Sequence, residues 1–202
     1  MLHPPGSRLE FLPELPYLHI RACRQLGNLV GWGAVERLGY LQISDCYSYK
    51  DLPPLQWLPS LREFKVDCCG IEVVAKPDFS QCVRLRSLEI SQMESLALNS
   101  MDSSTLRFLE FLYLGDCLAL TSIQGLSALH SLTTLWLEGC KALKRVPDLG
   151  CLKALTRLNM WGCDVEEISG VQKLHALTVL SLYRCGSLKT LPWLVHLNAL
   201  RV

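Results

Sequence analysis

The chain has no long apolar run. Half of its 202 residues are hydrophobic, yet no window reaches the roughly 18 uninterrupted apolar residues of a membrane-spanning helix. Its opening, MLHPPGSRLEFLPEL, sets two prolines, Arg8 and Glu10 where a secretory signal needs an unbroken apolar stretch. No Asn-x-Ser/Thr sequon occurs either, and together these absences give the expectation of a soluble, cytoplasmic protein with no membrane contact. An excess of one charge is missing too. Twenty Lys and Arg against 19 Asp and Glu leave a formal charge of +1, which offers no general attraction to nucleic acid or to an anionic surface.

The signatures of chemistry are equally scarce. There is no G-x-S-x-G, no H-E-x-x-H, no EF-hand loop and no G-x-x-x-x-G-K-[ST]. Neither C-x-x-C nor H-x-x-x-H appears, which argues against zinc. Gly31-Trp32-Gly33 has the start of a dinucleotide-loop pattern, but Glu36 stands where the third glycine should fall, and no crossover helix follows. The five histidines are scattered, with His19 alone on a strand face. The expectation is a protein without catalytic residues, cofactor or metal.

What the chain does have is a repeat. In Leu132 to Ala154, LTTLWLEGCKALKRVPDLGCLKA, apolar groups fall at Leu132, Leu135, Leu137, Cys140, Leu143, Val146, Leu149 and Leu152. This is the L-x-x-L-x-L-x-x-C-x-L pattern of a leucine-rich repeat. The period of two around Leu135 and Leu137 predicts a strand with Trp136 on its other face. The remaining residues space their apolar groups three apart and include Pro147, which suits a turn or short 3₁₀ segment. First leucines recur at Leu15, Leu38, Leu61, Leu85, Leu109, Leu132, Leu155 and Leu177, at steps of 22 to 24 residues. The predicted fold is an α/β-type solenoid, the leucine-rich-repeat horseshoe. It has a parallel sheet on the concave face, one short strand per repeat, and loops or 3₁₀ turns on the convex face.

Three segments follow from this phase: 1–14 as the tail of a preceding repeat, 15–199 as eight repeats, and 200–202 as the start of a ninth. Leu9, Phe11 and Leu12 supply the tail and Leu200 the new start, so the chain reads as cut from something longer. One unit, which carries the polar run Met101 to Thr105, is expected to bulge on its outer side.

The same phase organises the cysteines. Cys23, Cys46, Cys69, Cys117, Cys140, Cys163 and Cys185 each lie eight residues after a first leucine, and only Met93 interrupts the column. There the chain leaves the strand and turns, so a small soft group can point inward. Stacked strands repeat at about 4.8 Å whereas bridged Cβ atoms need about 3.8 Å, so the expectation is a ladder of reduced structural thiols. Cys68, Cys82 and Cys151 fall outside it, and Cys68, flanking the strand face, is expected to be the most exposed thiol.

Binding chemistry is expected on the outward face of the strands. Four residues after each first leucine the column reads His19, Gln42, Lys65, Glu89, Tyr113, Trp136, Asn159 and Ser181. Six after, it reads Arg21, Ser44, Asp67, Ser91, Gly115, Glu138, Trp161 and Tyr183. Tyr113 should stand beside Trp136, and Trp161 beside Tyr183, with Phe111, Glu138 and Arg157 around them. Solvent-facing aromatics of this kind form protein-binding hot spots, so the expected partner is a protein.

Repeats of the form LxxLxLxxCxxLxxLPxLxxL, visible as LSLYRCGSLKTLPWLVHL and LWLEGCKALKRVPDLGCL, resemble the leucine-rich-repeat region of plant nucleotide-binding disease-resistance proteins. The resemblance covers nearly the whole chain. It implies recognition of a pathogen effector, a guarded host protein or another domain of the parent protein, with the repeats also restraining an upstream nucleotide switch. The P-loop of that switch is absent from these 202 residues. Cysteine-bearing repeats also occur in the substrate-recognition part of ubiquitin-ligase adaptors, usually longer per repeat, and a purely structural scaffold is the third alternative.

Overall fold

The computed structural model describes residues 9–71, 77–93 and 105–190. The expected outer bulge at 101–105 and the ninth start at Leu200 fall largely or wholly outside those residues. Eight five-residue strands form one parallel sheet: β1 (Tyr17–Arg21), β2 (Tyr40–Ser44), β3 (Glu63–Asp67), β4 (Ser87–Ser91), β5 (Phe111–Gly115), β6 (Thr134–Glu138), β7 (Arg157–Trp161) and β8 (Val179–Tyr183). Each pairs only with its neighbours in sequence, in the order β1 to β8. Every strand opens two residues after a first leucine, and equal positions meet across the sheet, as in Leu112 opposite Leu135 and Leu135 opposite Leu158. The sequence repeat and the strand register are therefore one periodicity.

The described coils close by returns over the back of the sheet. Among the described residues, six returns hold a three-residue 3₁₀ turn, Leu9–Phe11, Trp32–Ala34, Leu55–Trp57, Leu126–Ala128, Leu149–Cys151 and Val171–Lys173. The first residue of every one is buried. Trp32, between the two glycines, is thus a core residue, its indole N–H donating to the Leu29 carbonyl at 3.1 Å. Inward leucines from strand and return fill a single continuous core, in which Leu112, Leu135, Leu137 and Leu158 have no solvent exposure. No coil could bury these groups alone, so stability comes from stacking.

One structural column escaped the sequence reading. The residue following each strand is left-handed in all eight coils: Ala22, Asp45, Cys68, Gln92, Asp116, Gly139, Gly162 and Arg184, with φ between 48° and 63°. This corner turns the chain inward, and its N–H continues the ladder one step beyond the strand, as when Asp116 donates to the Glu138 carbonyl at 2.7 Å. A side chain in this conformation costs about 1–2 kcal/mol, and only two corners are glycine. Gln92→Gly is therefore expected to stabilise the fold by about 0.5–1 kcal/mol after the added chain entropy. The readout is a thermal midpoint raised by a few degrees; an unchanged or lower midpoint would show that the corner is unstrained.

The corner also explains the thiols. Cys46, Cys117, Cys140 and Cys163 are buried, Cys69 and Cys185 half-buried, and Cys23, just after the outermost described strand, exposed; all ten cysteines are free. Met93 fills the same place at 1% exposure. The thiols of Cys69, Cys117, Cys140, Cys163 and Cys185 each reach two strand carbonyls, one on their own coil and one on the coil before: Cys140 lies 3.5 Å from both the Glu138 and the Leu114 oxygens. Cys68 corrects the expectation of an exposed thiol. It occupies the left-handed corner itself, half-buried, with its sulfur 3.6 Å from the Tyr47 hydroxyl. Cys151, on the outer end of a 3₁₀ turn, is exposed instead.

Burial pushes the Cys69 thiol up to about 11 and the Cys82 thiol up to about 12. The hydrogen bond to Cys117, with burial added, takes Cys140 up to about 12. These groups hold protons in the fold that the unfolded chain releases near the ordinary value of 9.0. Their contribution to stability is complete below about pH 9 and is lost as pH climbs toward 12. A urea midpoint that falls steadily above pH 9 is expected. At pH 8 a thiol reagent should label Cys23 and Cys151 long before Cys82 and Cys140; equal labelling would contradict the burial.

Candidate functional site

The outward face is set by the period of two: while Leu135 and Leu137 enter the core, Thr134, Trp136 and Glu138 leave it. Across β5 to β8 the register sets Tyr113 beside Trp136, Glu138 beside Trp161, and Trp161 beside Tyr183. Tyr113 and Trp136 meet edge to face with ring centroids 5.6 Å apart, and Trp161 and Tyr183 do the same at 5.7 Å. Such edge-to-face pairs hold the rings in a preferred geometry. Between them lies a groove of about 430 Å³ lined by Trp136, Asn159, Trp161, Ser181 and Tyr183. Trp161 is 43% and Tyr183 55% exposed.

Gly115 makes the first pair possible. A Cβ there would lie 2.4 Å from the Tyr113 hydroxyl, so the tyrosine lies along its strand only because that side chain is missing. Its hydroxyl then donates to a Glu138 carboxylate oxygen at 3.2 Å. Burial, then the Glu138 charge, hold the Tyr113 hydroxyl protonated well above its ordinary range, so it remains a donor.

Five of the seven site residues named from the sequence thus form one contiguous strip: Tyr113, Trp136, Glu138, Trp161 and Tyr183. Phe111 and Arg157 lie in a separate row at the start of the strands, with Thr134 between them in register. The groove adds two residues passed over earlier, Asn159 and Ser181, which provide a polar floor between aromatic walls. A third aromatic pair was not anticipated from the sequence. Tyr17 and Tyr40 stack at 4.1 Å with planes 8° apart, and the Tyr40 hydroxyl donates to Gln42 at 2.6 Å. Its signal is two tyrosines in succession two residues after the first leucines Leu15 and Leu38.

Among the described residues no group of three or more His, Cys, Asp or Glu could hold a metal ion, and no helix is long and apolar enough to cross a membrane. No protein-family model matches the sequence, and no curated protein sequence matches it. Solved structures do. The leucine-rich repeat domain of the type III effector XopL matches with a TM-score of 0.61 at 22% identity, over 92% of this chain and 74% of that one. The functional domain of InlJ from Listeria monocytogenes, which includes a cysteine ladder, matches with a TM-score of 0.59 at 18% identity, over 95% of this chain. This chain spans about half the length of that one, 49%. Likeness at such identities defines the fold: the chain is a leucine-rich repeat solenoid.

Proposed function

We propose that the strip on β5 to β8 is a protein-recognition surface, and that the chain is the sensing region of a plant nucleotide-binding immune receptor acting in the cytoplasm. The observation that carries the first part is the groove itself. Trp136, Trp161 and Tyr183 line it together with Asn159 and Ser181, and large rigid aromatics bury much area with little loss of conformational freedom. The partner is a pathogen effector, a guarded host protein or another domain of the parent protein. The second part is supported by the repeat form LxxLxLxxCxxLxxLPxLxxL, with its short period and its proline. No catalytic step is assigned to this surface, because the groove joins aromatic rings to an amide and a hydroxyl, with no base or activated nucleophile among them.

The receptor reading is tested by reading the native message in frame beyond both ends of this sequence. A G-x-x-x-x-G-K-[ST] segment upstream is the expected result. A frame that opens instead onto an F-box-like helical segment would overturn it in favour of a ubiquitin-ligase adaptor, and a message without either would leave a free-standing repeat protein.

A further inference from the structure

A second surface lies at the other edge of the sheet, where the strands begin. Arg62 and Arg86 immediately precede β3 and β4. The N–H of Arg86 donates to the Arg62 carbonyl at 2.8 Å, so the two side chains leave neighbouring strands one spacing apart. Arg84 enters from the loop before β4 and, with Val83 and Phe108, completes a cleft of about 280 Å³ lined by these five residues. Val83 is 43% and Phe108 45% exposed, and the Arg107 guanidinium stands 4.9 Å from the Phe108 ring centroid.

Four guanidiniums therefore gather where the sequence supplies two nearby carboxylates, Glu63 and Glu110, an excess of two positive charges (4 − 2) in a chain whose total is +1. Glu110 is paired with Arg86, while Arg62 and Arg84 form no ion pair among the described residues. Like charges side by side on adjacent strands are unfavourable, and an incoming anion would relieve them. A guanidinium fork can match a carboxylate in two-point geometry, and Arg86 already pairs with one carboxylate oxygen of Glu110 within the chain. The apolar Val83 and Phe108 call for an apolar group between the anions. A long polyanion would need a longer positive stripe than this near-neutral chain provides.

We propose that this cleft binds an acidic segment of a partner polypeptide, in which carboxylates flank an aromatic or aliphatic side chain. The surface is separate from the groove on β5 to β8, so neither reading depends on the other. The test is fluorescence anisotropy of the intact chain with a labelled, end-blocked peptide, Asp-Glu-Phe-Glu-Asp, in moderate salt. The neutral analogue Asn-Gln-Phe-Gln-Asn should bind at least tenfold more weakly. The double variant Arg62→Gln with Arg84→Gln should weaken binding of the acidic peptide at least tenfold. Both arginines are exposed, so its melting curve should match the parent's, and Arg145→Gln on the outer side should change nothing. No binding, equal binding of the neutral peptide, or full binding by the double variant would each overturn the proposal. So would equally effective competition by a single-stranded oligonucleotide or by phosphatidylserine vesicles, since either would make the cleft a general polyanion site.

Discussion

Leu135→Ala is expected to destabilise the whole stack by about 2–5 kcal/mol. Leu135 sits on β6 with no exposure and stands in register between Leu112 and Leu158. Truncation removes apolar surface and leaves a cavity that rigid strands on both sides cannot close. Leu180 holds the same place on β8 and is only half-buried. Leu180→Ala should therefore cost well under half as much. In a solenoid each coil contacts only its neighbours, so the difference between the two positions measures how far stability is shared along the stack. Urea unfolding reports both values. Equal losses would mean that the outermost described coil is packed as tightly as the middle ones.

Trp161→Ala should act in the opposite way, sparing the fold and removing binding. The ring is 43% exposed and rests edge to face on Tyr183, beside Glu138. Its loss opens the groove wall without opening the core. For a ligand seated in the groove the expected loss is about 2 kcal/mol or more, roughly thirtyfold in Kd, with a melting curve close to that of the parent. Trp136→Ala should lose a similar amount, and the two losses should not add, because both rings line one groove. Titration of a ligand selected against the intact chain checks this. A thirtyfold loss shared by Trp57→Ala, an exposed ring on the outer side, would point to general stickiness instead of a site.

The strands and their register were legible because one leucine phase controls them. A shift of one residue would turn Leu135 and Leu137 to solvent, so the sequence had little choice. The pairing of Tyr113 with Trp136 and of Trp161 with Tyr183 followed from the same phase, since equal positions on parallel strands become neighbours. Contacts along a strand and conformations at its end were less visible. That Tyr113 would lie over Gly115 and reach Glu138 depends on an absent side chain, which alternation does not reveal. The left-handed corners were hidden because Ala22, Cys68, Gln92 and Arg184 are not residues that announce positive φ; only Gly139 and Gly162, and more weakly Asp45 and Asp116, do so. Cys68 was misjudged for that reason: its neighbours suggested a solvent-facing flank, and the corner turned its thiol toward Tyr47 instead. The arginine cleft draws on residues from two neighbouring repeats, at different offsets, and no single column contains it.

The most direct test of the recognition surface is hydroxyl-radical footprinting of the intact chain, with and without a protein or peptide ligand selected for binding to it. Labelling of Trp136, Trp161 and Tyr183 should fall severalfold on binding, while exposed Trp57 and Tyr47 keep theirs. If Trp57 or Tyr47 is shielded and the groove rings stay fully labelled, the strip on β5 to β8 is not where this solenoid meets its partner.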